Sequence, residues 1–122
     1  MKIIVVSGGF DPIHSGHIAY FEAAKKLGDK LIVALNSDAW LINKKSKFFM
    51  PFVERKIIVE NLKMVDEVID FQDDDKGSAC FGLEKIKKLY PDDEITFCNG
   101  GDRTQENIPE MAVSNIKFSF SV

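Results

Sequence analysis

From Gly8 to His17 the chain reads Gly-Gly-Phe-Asp-Pro-Ile-His-Ser-Gly-His, a stretch that holds each kind of group an anion site needs. Gly8 and Gly9 let the backbone approach a ligand closely. A helix starting just beyond them would offer unpaired N–H donors and the positive end of its dipole. His14 and His17, three apart, share one side of such a helix's first turn and point at the same object. Gly16 between them removes a side chain where a phosphate would approach. The same residues have other uses. A His-x-x-His pair can ligate a metal, but no third ligand lies near it and zinc sites normally supply at least three. Two histidines at a helix start can also simply cap or pack. The spacing is neither Gly-x-Gly-x-x-Gly nor Gly-x-x-x-x-Gly-Lys-Ser/Thr, so neither a dinucleotide fingerprint nor a P-loop is supported.

The elements that must position this loop follow from the apolar pattern. Lys2 to Ser7 is a short, β-branched apolar run and reads as a buried strand running into the glycine pair. Tyr20, Ala23, Ala24 and Leu27 then fall at i, i+3, i+4 and i+7, a helix of about four turns closed by Gly28. Lys30 to Leu35 is a second buried strand, followed by a loop from Asn36 to about Pro51 that carries Lys44, Lys45 and Lys47. From Phe52 a second helix places Ile58, Leu62 and Val65 on one face, and Glu67 to Phe71 is a third strand. After an acidic linker, Gln72 to Gly77, the residues Leu83, Ile86 and Tyr90 mark a third helix that Pro91 stops. Glu94 to Cys98 is a fourth strand ending at Asn99, Gly100 and Gly101, and the alternating tail Ile116 to Val122 reads as a fifth, exposed on one face. Strands alternating with helices imply a Rossmann-like, doubly wound α/β fold: a five-stranded parallel sheet in three α/β/α layers. Ligands of such sheets sit beyond the carboxyl ends of the strands at the switch point, so the loops after the first and fourth strands should face one crevice.

Composition narrows the options. At 122 residues and 45% hydrophobic content the chain supports one domain, residues 1–122, and is not a disordered segment. With 16 Lys plus Arg against 19 Asp plus Glu, the net charge of −3 gives no basic footprint for nucleic acid; any anion site is local. The two cysteines, Cys80 and Cys98, are expected as free thiols in a reducing compartment. No apolar run reaches the roughly 18 residues of a membrane span, and no cationic leader precedes Lys2. The expectation is a soluble, cytoplasmic protein without a membrane partner.

On these residues the chain resembles the cytidylyltransferase-like nucleotidyltransferases, whose hallmark is His-x-Gly-His just after the first strand. LGDKLIVALNSDAW, the Glu54-Arg55 pair, VDEVIDF and NGGDR are similar to that family's second strand, second helix, third strand and fourth-strand loop, in order. Within the family the nearest groups are glycerol-3-phosphate cytidylyltransferase and the nucleotidyltransferase domain of ADP-heptose synthesis. The resemblance implies joining of a nucleoside triphosphate, CTP in preference to ATP, to a phosphorylated alcohol or sugar, with release of pyrophosphate. It also implies Mg²⁺ on the phosphates and a homodimer.

Carried over residue by residue, the resemblance gives His14 and His17 contacts to the triphosphate, and nearby phosphate oxygens would then raise their pKa values. It places Lys44 on the triphosphate or the acceptor phosphate, with Lys45 and Lys47 assisting; a solvated basic loop is the alternative. Arg55 matches the family's helix arginine, whose planar fork suits a phosphate; a structural pair with Asp66 or Glu67 would occupy it equally well. Gly8, Gly9, Phe10, Asp11 and Gly16 belong to the implied nucleotide loop, and Asp11 either caps the turn or orients a histidine. Asp38 is similar to a family aspartate and also fits a helix cap. Asp102 and Arg103 fall in the Gly-Gly-Asp loop, Asp102 toward the ribose or base, while the backbone of Gly100 and Gly101 would read the base edge. Trp40, Phe48 and Phe49 would line a nucleotide or dimer surface, or pack.

Family members continue past the fifth strand into a Ser/Thr-rich helix start that embraces the triphosphate. This sequence ends at Val122, which leads to an expectation of weakened triphosphate affinity and keeps a non-catalytic nucleotide-binding module as the alternative function. A fragment of a class I aminoacyl-tRNA synthetase is disfavoured: its Lys-Met-Ser-Lys-Ser loop follows the last strand, whereas Lys44 to Lys47 follow the second.

Overall fold

Ile3, Ile4, Val5 and Val6 are all buried because β1 (Lys2–Gly8) runs through the centre of the sheet with both faces covered. The computed structural model describes residues 1–98, 110 and 113–119. After β1 come α1 (Ser15–Lys25), β2 (Lys30–Leu35), α2 (Asp38–Lys45), α3 (Phe52–Glu60), β3 (Glu67–Ile69), α4 (Cys80–Leu89), β4 (Glu94–Cys98) and β5 (Lys117–Ser119). The strands form one parallel sheet in the order β3-β2-β1-β4-β5. The chain therefore has the expected Rossmann-like three-layer fold, with its switch point between β1 and β4.

Pleat alternation divides the core into two. Ile3 and Val5 face Ile32, Ile95, Phe97 and the α4 residues Leu83 and Ile86. Ile4 and Val6 face Leu31, Val33, Phe21 and Ala24 of α1, and Val59 of α3. The turn from α1 into β2 is pinned to the start of β1, where Asp29 N–H donates to the Lys2 carbonyl (2.8 Å) and Lys2 N–H donates to Asp29 Oδ2 (2.8 Å).

Several boundaries differ from the sequence expectation. α1 ends at Lys25 with Phe21 and Ala24 buried, while Leu27 is exposed. Gly28 serves space rather than capping: a Cβ there would lie 2.7 Å from Ile4 Cγ1 and 2.8 Å from the Lys2 carbonyl oxygen. The expected loop from Asn36 to Pro51 contains α2, whose N-cap Ser37 accepts from Trp40 N–H at 3.0 Å. α3 stops at Glu60, so Leu62 and Val65 lie beyond it, and its inner face is Arg55 and Val59. A buried arginine reads as polar in the sequence and hides that face. Leu83, Ile86 and the stop after Leu89 are as the periodicity places them. Cys80 and Cys98 are not joined in a disulfide, and burial pushes the Cys98 thiol up to about 11. No helix among the described residues is long and apolar enough to cross a membrane.

Candidate functional site

At the carboxyl end of β1 the loop Gly8–Pro12 and the first turn of α1 form one wall of an open cavity of about 390 Å³; Trp40, Leu41, Lys44 and Lys45 of α2 form the other. The glycines set how close the walls come. A Cβ on Gly9 would lie 2.5 Å from Leu41 Cδ2, so α2 packs where a side chain would otherwise stand. Phe10 takes a positive φ of 50°, a region that bulky residues rarely occupy. That conformation sends its ring inward, edge-on to Phe21 (centroids 4.9 Å) and to His17 (5.0 Å). The half-buried His17 ring thus rests on a core residue.

His14 is the N-cap of α1, and the two imidazoles form a capping box. His14 Nδ1 accepts from Gly16 N–H (3.1 Å), and His17 Nδ1 accepts from His14 N–H (3.2 Å). The rings stack with centroids 3.8 Å apart. Because each Nδ1 lone pair faces a backbone donor, the ring proton sits on Nε2. Neither Nε2 bonds within the described residues, and both histidines line the cavity. Burial first, and the His14 ring second, hold His17 below the ordinary histidine value of 6.5, in line with a lone pair committed as acceptor. Capping and ligand-facing roles are therefore compatible: one nitrogen of each ring does each. Gly16 does not line the cavity. A Cβ there would lie 2.9 Å from His14 Cε1, so this glycine makes room for the imidazole rather than for a guest.

Arg55 lies beneath the cavity with its side chain fully buried. Its Nη1 donates to the carbonyls of Gly9 (3.0 Å) and Asn36 (2.7 Å), Nε to the Met50 carbonyl (3.0 Å), and Nη2 to Asp38 Oδ1 (2.7 Å). It ties the β1–α1 loop, the β2–α2 junction and the entry to α3 together, and its fork is not presented to the cavity. The partner is Asp38, not Asp66 or Glu67. Asp66 pairs with Lys25 and accepts from Leu31 N–H, and Glu67 pairs with Lys30. Asp38 is the first residue of α2, next to the cap Ser37.

Asp11 acts as a second tie. Its carboxylate accepts from Phe49 N–H (2.6 Å) and Met50 N–H (2.7 Å), and Lys45 Nζ stands 3.3 Å from Oδ2. Burial alone would raise its pKa, but those two amides and the ammonium outweigh it and hold the carboxyl below 3.8. Lys45 is thereby engaged, bonding the Asp11 carbonyl as well (2.5 Å). Lys44, in the last turn of α2, stands over the Trp40 ring (4.7 Å) at the cavity's edge. Lys47 lies past the helix, near Phe49, outside the lining.

The structure thus gathers Gly8, Gly9, Phe10, Asp11, His14, His17, Lys44 and Lys45 around one cavity and sets Arg55 behind it. Gly100, Gly101, Asp102 and Arg103 lie outside the described residues. The end of β4 is tied to α1, where Tyr20 Oη donates to the Cys98 carbonyl (2.8 Å). Among the described residues no group of three or more His, Cys, Asp or Glu side chains is placed to hold a metal ion, so the His pair has no third metal ligand there. Sequence reasoning missed the Asp38–Arg55 pair and the wall made by Leu41. The signal for the wall was Ser37 ahead of Ala39, Trp40 and Leu41, a helix start inside a segment taken for loop.

The cytidylyltransferase-like family model matches residues 5–119. The bifunctional protein HldE of Erwinia tasmaniensis is 36% identical over 109 residues, 88% of this chain and 21% of that protein. HldE of Salmonella arizonae matches with the same identity and coverage. The chain spans about a fifth of the length of the curated relatives it matches. Among solved structures, the lipopolysaccharide core biosynthesis protein of Thermoplasma volcanium GSS1 aligns with a TM-score of 0.75 and 25% identity, over 100% of this chain and 97% of that one.

Proposed function

Because the chain belongs to the cytidylyltransferase-like family, we propose that it transfers a nucleotidyl group, CMP in preference to AMP, from a nucleoside triphosphate to a phosphorylated alcohol or sugar, releasing pyrophosphate. The observation that carries the reading is the histidine pair: two Nε2–H donors side by side on the wall of a cavity at the end of β1, oriented by the backbone before any guest arrives.

In this reaction an oxygen of the acceptor phosphate attacks the α-phosphorus in line. The bond from that phosphorus to the α–β bridging oxygen breaks, and the oxygen leaves with pyrophosphate without a covalent enzyme intermediate. Little bond-making falls to the protein, so its work is positioning and charge stabilisation. His14 and His17 donate to the oxygens on which negative charge builds, each pre-aimed donor contributing about 3 kcal/mol. Lys44 offsets charge where donor and acceptor phosphates meet. Asp11 is the cavity's one carboxylate among the described residues, and both its oxygens are occupied. Magnesium would therefore arrive on the triphosphate, which it binds with few protein ligands, and would supply charge neutralisation there.

Pyrophosphate release is measured with magnesium and either CTP or ATP over a panel of polyol and sugar phosphates, with His17→Ala in parallel. Release with at least one acceptor, lowered about a hundredfold in the variant, is expected. Nucleotide binding with no release from any acceptor would instead identify a non-catalytic binding module. A homodimer is supported by the exposed apolar side chains of Val53 and Ile57, one turn apart on α3.

A further inference from the structure

The two imidazoles are not held alike. His14 is exposed and is fixed by its cap bond and by the His17 ring. His17 is half-buried, and besides the His14 stack and the bond to its Nδ1 it meets the core through the ring of Phe10 (centroids 5.0 Å, planes at 79°). An edge-to-face pair has a preferred angle, so this contact sets the tilt of the imidazole as well as its depth.

Phe10 is itself braced on both sides. Its backbone stands at φ 50°, a conformation strained for a bulky residue and one that persists where the surroundings enforce it, typically at functional sites. Gly8 leaves the space its ring fills: a Cβ there would lie 2.9 Å from Phe10 Cζ. The ring also meets Phe21 of α1 edge-on (4.9 Å, 79°), and α1 is the helix whose first turn carries both histidines. Phe10 is 8% exposed. It offers a guest in the cavity almost no surface, so any part it plays is through its neighbour.

We propose that Phe10 is a positioning residue for nucleotidyl transfer: its ring, braced between Gly8 and Phe21, sets the tilt of the His17 imidazole and so the direction in which Nε2–H points. The kinetic consequence rests on the nucleotidyl-transfer reading. Binding of the triphosphate tolerates a small tilt of one donor among several. Stabilising the charge that builds at the α-phosphate does not, because the donor must already lie where the transition state places that charge. Loss of aim therefore lowers kcat and leaves KM nearly unchanged.

Phe10→Leu keeps the position apolar and removes the ring. Phe97→Leu, at a buried aromatic in the other half of the core, is the matched control for general loosening. Pyrophosphate release is followed with magnesium and CTP or ATP at saturating acceptor. Phe10→Leu is expected to lower kcat about tenfold or more with the nucleotide KM within about twofold, and Phe97→Leu to leave both near wild type. An unchanged kcat in Phe10→Leu would overturn the proposal. So would a raised KM at unchanged kcat, the signature of a direct contact, or an equal loss of kcat in both variants. The wild-type chain supplies a test that needs no variant to fold: nuclear Overhauser cross-peaks between the Phe10 and His17 rings are expected without nucleotide and at saturating nucleotide, and their absence in either state would overturn the proposal. If the wild-type chain neither binds CTP or ATP nor releases pyrophosphate, the transferase reading fails, and Phe10's hold on His17 stands or falls on the cross-peaks of the free chain.

Discussion

His14 and His17 stack 3.8 Å apart, each with Nδ1 turned to a backbone N–H of the same helix start. The relationship separates two roles that single substitutions normally confound. His14→Ala removes both the cap and the cavity donor; losing an N-cap costs about 1 kcal/mol of stability. His14→Asn keeps a capping acceptor and loses only the Nε2–H. The asparagine variant is expected to melt close to wild type yet release pyrophosphate about a hundredfold more slowly, which thermal melts and the release assay read together.

Gly16→Ala tests the same pair from the other side. Replacing an exposed helical glycine by alanine ordinarily stabilises, by up to about 1 kcal/mol. Here the new Cβ would meet His14 Cε1 at 2.9 Å and Nδ1 at 3.0 Å, turning the ring off its cap. Triphosphate affinity, measured by calorimetry, should fall at least tenfold with little change in melting temperature. Unchanged affinity would mean that the orientation of the ring is unimportant.

Arg55→Ala should be among the most damaging single substitutions. It strands Asp38 and the carbonyls of Gly9, Asn36 and Met50. Removing one partner of a buried charged pair costs about 3–5 kcal/mol, and a urea melt of the variant should show a loss of that order. Asp38→Asn leaves the buried guanidinium without its counter-charge but keeps an acceptor oxygen for Nη2, so it should also destabilise, by less than Arg55→Ala.

Two pH windows follow from the shifted groups. Asp11, Asp66 and Asp74 all have folded pKa values below 3.8. Their contributions to stability are complete above the unfolded value of about 3.9 and disappear as pH falls through the lower folded values. His17 is also lowered, so the unfolded chain takes up its proton first. Stability should begin to decline as pH drops below about 6.5, and the decline should level off below the folded value. Melting temperatures from neutral to acid pH should show both steps, and His17→Gln should remove the upper one.

How much of this was legible in the sequence depended on whether burial followed polarity. The β1 run Ile3–Val6 and the α4 residues Leu83 and Ile86 are apolar and buried, so period and length placed them. The histidine pair was visible because glycines at a strand end have few other uses. Arg55 was visible as a functional type but assigned to a phosphate and to the wrong partner: it is a polar residue inside, tied to the carbonyls of Gly9 and Asn36, both distant in sequence, and of nearby Met50. Gly16 was read as leaving room for a phosphate and Gly28 as closing a helix, whereas each leaves room for a neighbour that only packing reveals.

The central claim, that the two imidazoles present Nε2–H to a triphosphate, is tested most directly by nitrogen-15 NMR of the chain's two histidines with and without magnesium-CTP or magnesium-ATP. The account predicts both rings in the Nε2–H tautomer before nucleotide is added, with the Nε2 resonances of both moving on saturation while Nδ1 keeps its acceptor signature. Protons found on Nδ1, or Nε2 resonances unmoved by saturating nucleotide, would contradict it.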